Sequence, residues 1–169
     1  FDNIKKYLVY LLSENLGEIL LMSFAILFGT FFGLPAIPLI PIQILYINLA
    51  TDGLPAIALS IEPPEKDLMK RRPRPRNESI FTRDVLVYLL ITGIWTALVC
   101  FLVFLWTYRT TGSNVEASVM TFATLILIEL FNAINCRSLD KSVFKVGFFT
   151  NKWLMYAIMW ELALMCVII

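Results

Sequence analysis

Residues 41–61 form an apolar run long enough to cross a bilayer, yet Asn48, Thr51 and Asp52 stand inside it. Spacings of three and four put these polar side chains on one face of a helix. An ionised carboxylate at bilayer depth costs about 2.5–3.5 kcal/mol on insertion scales, so an intramembrane aspartate marks a functional site unless something else explains it. Pro55 has no N–H for the carbonyl of Thr51, and Gly53 lets the backbone leave helical geometry. Freed carbonyls beside a carboxylate, a hydroxyl and an amide are all oxygen donors, the kind a hard cation takes. A helix broken at membrane depth is tolerated where it lines a cavity inside the protein. The run therefore predicts an all-α, polytopic transmembrane bundle with a cation site at its centre.

The rest of the chain agrees with that class. Of 169 residues, 59% are hydrophobic, and the mean hydropathy of +0.76 is far above that of a soluble domain. Histidine is absent, which excludes imidazole catalysis and histidine metal sites. Cys100, Cys136 and Cys166 make no CxxC pair and are expected to be buried as small hydrophobes. No small-residue cleavage pattern follows the N-terminal segment, and the chain opens without Met and closes in an apolar run. A fragment of a longer protein is expected.

Five spans are predicted, over residues 4–32, 42–61, 85–108, 115–135 and 153–169. The first carries Glu14, Asn15 and Glu18. Asn15 and Glu18 face one way, and Glu14 and Glu18 are helical neighbours that repel unless a cation or proton lies between them. Three prolines in residues 33–41 predict a short external hairpin, which makes the first two spans antiparallel neighbours. Residues 62–84 form a polar loop with Lys66, Lys70, Arg71, Arg72, Arg74, Arg76 and Arg83, the mark of a cytoplasmic side. The third span reads as scaffold, with Trp106 and Tyr108 as interfacial anchors before an outside turn at residues 109–114. The fourth places Glu129 at depth, with Asn132 and Asn135 beyond it, and the fifth carries Glu161 about midway. A second basic loop, with Arg137, Lys141, Lys145 and Lys152, joins these two spans. All of the 14 Lys and Arg residues but Arg109 then fall on one side. Phosphate loops, nucleophile elbows, zinc-ligand spacings and nucleic-acid motifs are all missing from the sequence, so nothing in it predicts ATP hydrolysis or nucleic-acid binding.

The motifs NLGE, NLATDGLPAIALSIEPPEKDLMKRRPR and IELFNAIN resemble the C-terminal membrane region of type II P-type cation-transporting ATPases, and most of all calcium pumps of the sarcoplasmic-reticulum class. The resemblance covers almost the whole chain, as transmembrane helices five to nine. It implies that Asn15 and Glu18 match the fifth-helix calcium ligands, Asn48, Thr51 and Asp52 those of the sixth, and Glu129 that of the eighth. In that family the counterpart of Asp52 bridges two calcium sites. Further ligands, the phosphorylated aspartate and the ATP- and Mg2+-binding domains precede the matched region. They would be the partners of this chain, together with the lipid bilayer of a cell or organelle membrane. Two positions depart from the pattern: Glu14 stands where a small hydroxyl residue is usual, and Glu161 where calcium pumps are typically apolar and sodium/potassium pumps acidic.

Independently of the family, Asn15, Glu18, Asn48, Thr51, Asp52 and Glu129 offer side-chain oxygens enough for the six to eight that calcium takes. The expected function is the cation-binding and translocating part of an ATP-driven pump that exports Ca2+ and returns protons. Such a pump is a translocase, although residues 1–169 alone would lack its ATP-binding and phosphorylation domains. The alternatives are a monovalent-cation pump of the same fold and an ATP-independent cation/proton exchanger.

Overall fold

The computed structural model describes residues 1–33, 37–64, 80–138, 146–147 and 149–168. Helix α1 (Asp2–Phe32) buries Tyr10, Ser13, Glu14, Gly17, Glu18 and Leu21, a stripe at intervals of three and four. Ile19, Ile26, Leu27 and Phe31 lie on the open side of the same helix. In hydrocarbon the polar stripe is the one that must turn inward, and α1 accordingly folds with Glu14 and Glu18 inside and Ile19 and Ile26 out.

Two glycines set the closest helix contact. A Cβ on Gly93 would lie 2.8 Å from Cγ of Leu16, and one on Gly17 would lie 3.1 Å from Cβ of Thr96. Helix α4 (Arg83–Thr111) therefore lies directly against α1, as small residues allow in membranes. Gly33 closes α1 at φ 66°, donating its N–H to the carbonyls of Gly29 and Thr30. At that same end the Arg109 guanidinium sits 5.8 Å from the ring centre of Phe32. The third span outlasts its expected limit at residue 108 and ends at Thr111, with the Thr110 and Thr111 hydroxyls both donating to the carbonyl of Thr107. The turn expected over residues 109–114 shrinks to Gly112, at φ 69°, and Ser113. Ser113 Oγ then caps α5 (Asn114–Asn135) by accepting the N–H of Glu116 at 3.3 Å.

The second span is one continuous path in three pieces: α2 (Pro41–Tyr46), a π-helical turn over Ile47–Thr51, and α3 (Gly53–Ser60). The N–H of Asp52 reaches back five residues to the carbonyl of Ile47, at 2.9 Å. The break expected here takes the form of a widened turn, with Gly53 outside the positive-φ glycines. Pro55 cannot donate to Thr51 and its ring crowds that carbonyl; one extra residue per turn relieves both, and ordinary bonding resumes with Ala56 N–H to Asp52 O at 3.1 Å.

Spans one and two run antiparallel. Asn3 donates to the carbonyls of Ser60 (3.1 Å) and Glu62 (2.9 Å), Tyr10 meets Asp52, and Glu18 meets Asn48. Helix α6 (Lys152–Ile168) follows α5. Four spans, α1, residues 41–60, α4 and α5, are long and apolar enough to cross a membrane, and α6 has 17 residues. This is an all-α integral membrane bundle. One apolar cluster gathers Val9, Leu59, Val85 and Leu154 at the basic end. The other gathers Leu21, Ile47, Phe104 and Leu125 toward the opposite end.

Three expectations change on folding. Cys166 is exposed, while Cys100 and Cys136 are buried as expected. Glu62 and Arg137, read as loop residues, are buried against each other at 2.8 Å. The α4 span is more than scaffold, since its Tyr88 and Thr96 enter the polar interior. The external hairpin prolines lie partly, and the basic segment largely, outside the described residues. Replacing Gly93 by Ala should destabilise the bundle by about 1–3 kcal/mol through overpacking against Leu16. Gly17→Ala should cost less, and thermal unfolding in detergent would rank the two.

Candidate functional site

Between the two apolar clusters lies a layer of acids contributed by four spans: Glu14 and Glu18 from α1, Asp52 from the π turn's end, Glu129 from α5 and Glu161 from α6. Their residues are at most 6% exposed. The π turn places Thr51 in the interior as well, at 0% exposure. Among the described residues, these acids accept hydrogen bonds from neutral groups. Asn48 Nδ2 donates to both carboxylate oxygens of Glu18, at 2.8 and 3.0 Å. Tyr10 donates its hydroxyl to Asp52 Oδ1 at 3.2 Å. Tyr46 donates to Glu161 Oε2 at 3.3 Å. Asn132 donates to Glu14 Oε1 and to Ser13 Oγ, the latter at 3.0 Å.

Much of the layer's acceptor capacity is unused. Glu14 Oε2, Thr51 Oγ1, Asp52 Oδ2, Glu161 Oε1 and both oxygens of Glu129 are buried without a hydrogen-bond partner. Buried polar atoms are otherwise satisfied in nearly all native structures, and an orphaned acceptor there costs about 1–3 kcal/mol. Six orphaned acceptor oxygens in one layer can accept protons or positive charge. Thiolate and imidazole donors are missing from the set, which suits oxygen-seeking cations. Among the described residues no three acidic or thiol groups stand close enough to hold one metal ion between them. The acids are held apart, each of Glu14 and Glu18 by its own amide.

The six residues singled out in the sequence are treated differently by the fold. Glu18 and Asn48 are joined directly. Thr51, Asp52 and Glu129 face the same interior with unpaired oxygens. Asn15 spends its amide on the carbonyl of Leu11, at 2.7 Å on its own helix, rather than on the others. The neighbouring pair Glu14 and Glu18 separates because the first turns to α5 and the second to the π turn. Sequence reasoning passed over Tyr10. Its signal was there: it lies four residues before Glu14, on the face that carries the acids. Asn132 emerges as the hub, since its Oδ1 also accepts the Tyr88 hydroxyl at 2.6 Å. On its far side it lines a cleft of about 430 Å³ with Tyr88, Thr92, Trp95 and Asn135.

Residues 36–169 match the family described as "Cation transporting ATPase, C-terminus". The chain belongs to this family. Over its full length it is 42% identical to a calcium-transporting ATPase of Bacillus subtilis (strain 168), of which it covers 18%. It is 36% identical to calcium-transporting ATPase 1 of Saccharomyces cerevisiae, across 94% of this chain and 16% of that protein. A calcium-transporting ATPase type 2C member 1 of Mus musculus is 35% identical, across 94% of this chain and 17% of the relative. This cation-ATPase C-terminal region thus spans under a fifth of the length of the curated relatives it matches.

In this cation-ATPase region Asn132→Leu should strip Glu14 and Ser13 of their shared donor. The loss should be about 1–3 kcal/mol, the cost of orphaned buried acceptors. The double variant Glu14→Leu/Asn132→Leu should recover part of it, because both partners are removed together. Denaturant or thermal unfolding of the two variants in detergent checks the ordering.

Proposed function

We propose that this chain is the cation-binding and translocating membrane part of an ATP-driven P-type pump whose cargo is calcium. The observation that carries the reading is the donor-poor layer: Glu129 has no partner on either oxygen, and Asp52 keeps one free beside a π turn. Membership in the cation-transporting ATPase family supports a pump, and the names of the relatives support calcium as its ion. ATP and Mg2+ would be handled by other domains of the same protein.

Asn15, Glu18, Asn48, Thr51, Asp52 and Glu129 are the proposed ligands. For an ion to bind, Asn48 must turn its amide so that Oδ1 replaces the Nδ2 now held by Glu18. Asn15 must likewise leave Leu11. Calcium would then draw together oxygens that this arrangement keeps apart, taking about six to eight of them.

Charge balance adds the counter-ion. Glu18, Asp52 and Glu129 can bring three negative charges to one depth, and one divalent ion cancels two. Bare carboxylates left in a low-dielectric interior after release would be costly, so protons take the cation's place and travel back. Glu161, buried with one free oxygen, is the observation that favours the second reading, a monovalent-cation pump.

Asp52→Asn keeps the side chain's size and one acceptor oxygen while removing the charge. In the full-length protein it should abolish calcium-dependent phosphorylation by ATP and leave the membrane fold intact. Full calcium-activated turnover in that variant would remove Asp52 from the site. ATP hydrolysis by the wild-type protein, stimulated by calcium or by sodium plus potassium, separates the two ions.

A further inference from the structure

At the basic end the polar arrangement is the opposite of the acid layer, because there both carboxylate oxygens of Glu62 have donors. Glu62 Oε1 accepts from Arg137 Nε at 3.0 Å and from Nη2 at 2.8 Å. Glu62 Oε2 accepts from Asn151 Nδ2 at 2.5 Å. The backbone carbonyl of Glu62 accepts from Asn3 at 2.9 Å. Arg137 continues to the carbonyl of Gly147 at 2.9 Å and to the hydroxyl of Thr150. Asn151 also donates to the carbonyl of Ala58 at 2.9 Å and accepts the N–H of Leu154 at 3.0 Å. The Arg137 and Glu62 side chains are 0% and 2% exposed.

We propose that this clasp is a positioning element for the cation site, fixing the register of α3 against α5 and α6 and thereby the affinity for the ion. The proposal rests on the reading of the acid layer as a cation site. Three observations lead to it. First, the clasp joins the start of α1, the end of α3, the end of α5 and the start of α6, and those four spans are the ones that carry the acids. Second, Glu62 follows Asp52 by ten residues and Arg137 follows Glu129 by eight, about 12–15 Å at helical rise. Third, α3 is only eight residues long and starts at the π turn. It is a short rod with a distorted joint at the site and a charged anchor at its far end.

A buried ion pair is a weak source of stability, since well-packed apolar residues of similar volume often serve as well or better. The guanidinium's Nε and Nη2 converge on the single oxygen Oε1, and these charge-assisted bonds fix geometry in a way apolar contacts do not. Here that geometry is transmitted to Asp52 and Glu129: Tyr10 holds one oxygen of Asp52, and the other oxygen of Asp52 and both of Glu129 have no partner. Glu62 and Arg137 touch no ion themselves; they act through the helices they hold.

The test uses the full-length protein in membranes and measures equilibrium binding of radioactive calcium, with radioactive sodium in parallel. Two variants are compared with wild type: Glu62→Gln, and Glu62→Gln/Arg137→Gln, which removes both charges and leaves no buried charge unpaired. Both should bind the ion about tenfold more weakly, as loss of outer-shell support does for other metal sites, with the number of sites per protein unchanged. Arg137→Lys, which keeps the charge and loses the converging pair of donors, should fall between wild type and these variants. Unchanged affinity in variants that bind the full complement of ion would overturn the clasp and leave the site's function standing. Loss of sites in step with loss of folded protein, read by size-exclusion chromatography, would also overturn it, as a merely structural role. Binding of neither ion by wild type would refute the site and the clasp together.

Discussion

Burial of acids without a matching positive charge is the constraint around which this bundle is built. Glu14, Glu18, Asp52, Glu129 and Glu161 all lie inside, and among the described residues amides and phenols donate to them. A soluble protein would place such groups in water or pair them with Lys or Arg. A membrane offers neither water nor free choice of partners, so the helices must surround the acids themselves. That requirement explains the inverted faces of α1. It also explains the close glycine contact with α4, which lets a second helix shield the stripe.

The same constraint gives the proline its place. A regular helix through residues 41–60 would use all its carbonyls internally and offer the interior nothing but side chains. Pro55 removes one N–H, the backbone widens by a residue, and Thr51 and Asp52 are delivered to the layer at that joint. A widened turn is a local concession and needs support at both ends. Toward α2 it has Gln43, whose Oε1 accepts from the N–H of Ile40 and from Ser118 of α5, each at 2.9 Å. Toward α3 it has the Glu62–Arg137 pair. Polar cross-links between spans therefore flank the one irregular segment, which is where a helix that must keep an imprecise backbone in place needs them.

Family membership and geometry bear on different questions. The match to the C-terminal region of cation-transporting ATPases identifies what kind of protein the chain comes from. The geometry shows which of its polar residues are buried in one layer and which bond elsewhere. Glu14 illustrates the difference. Its position looked unusual beside the family pattern, and the fold gives it a definite partner in Asn132, tied in turn to Tyr88.

The sequence by itself determined the class, because hydrocarbon thickness and backbone self-satisfaction leave few options to an apolar run of some twenty residues. It also located the acids and the broken helix, since an intramembrane carboxylate and a proline are conspicuous one residue at a time. Pairings were another matter. Which amide holds which acid, that Tyr10 reaches Asp52, that Asn15 stays on its own helix, and that Glu62 and Arg137 bury each other across 75 positions all depend on helix rotation and register. Rotation and register are set by contacts such as Gly93 against Leu16. Those contacts sum small packing terms over residues far apart in the chain, and only the assembled bundle brings them together.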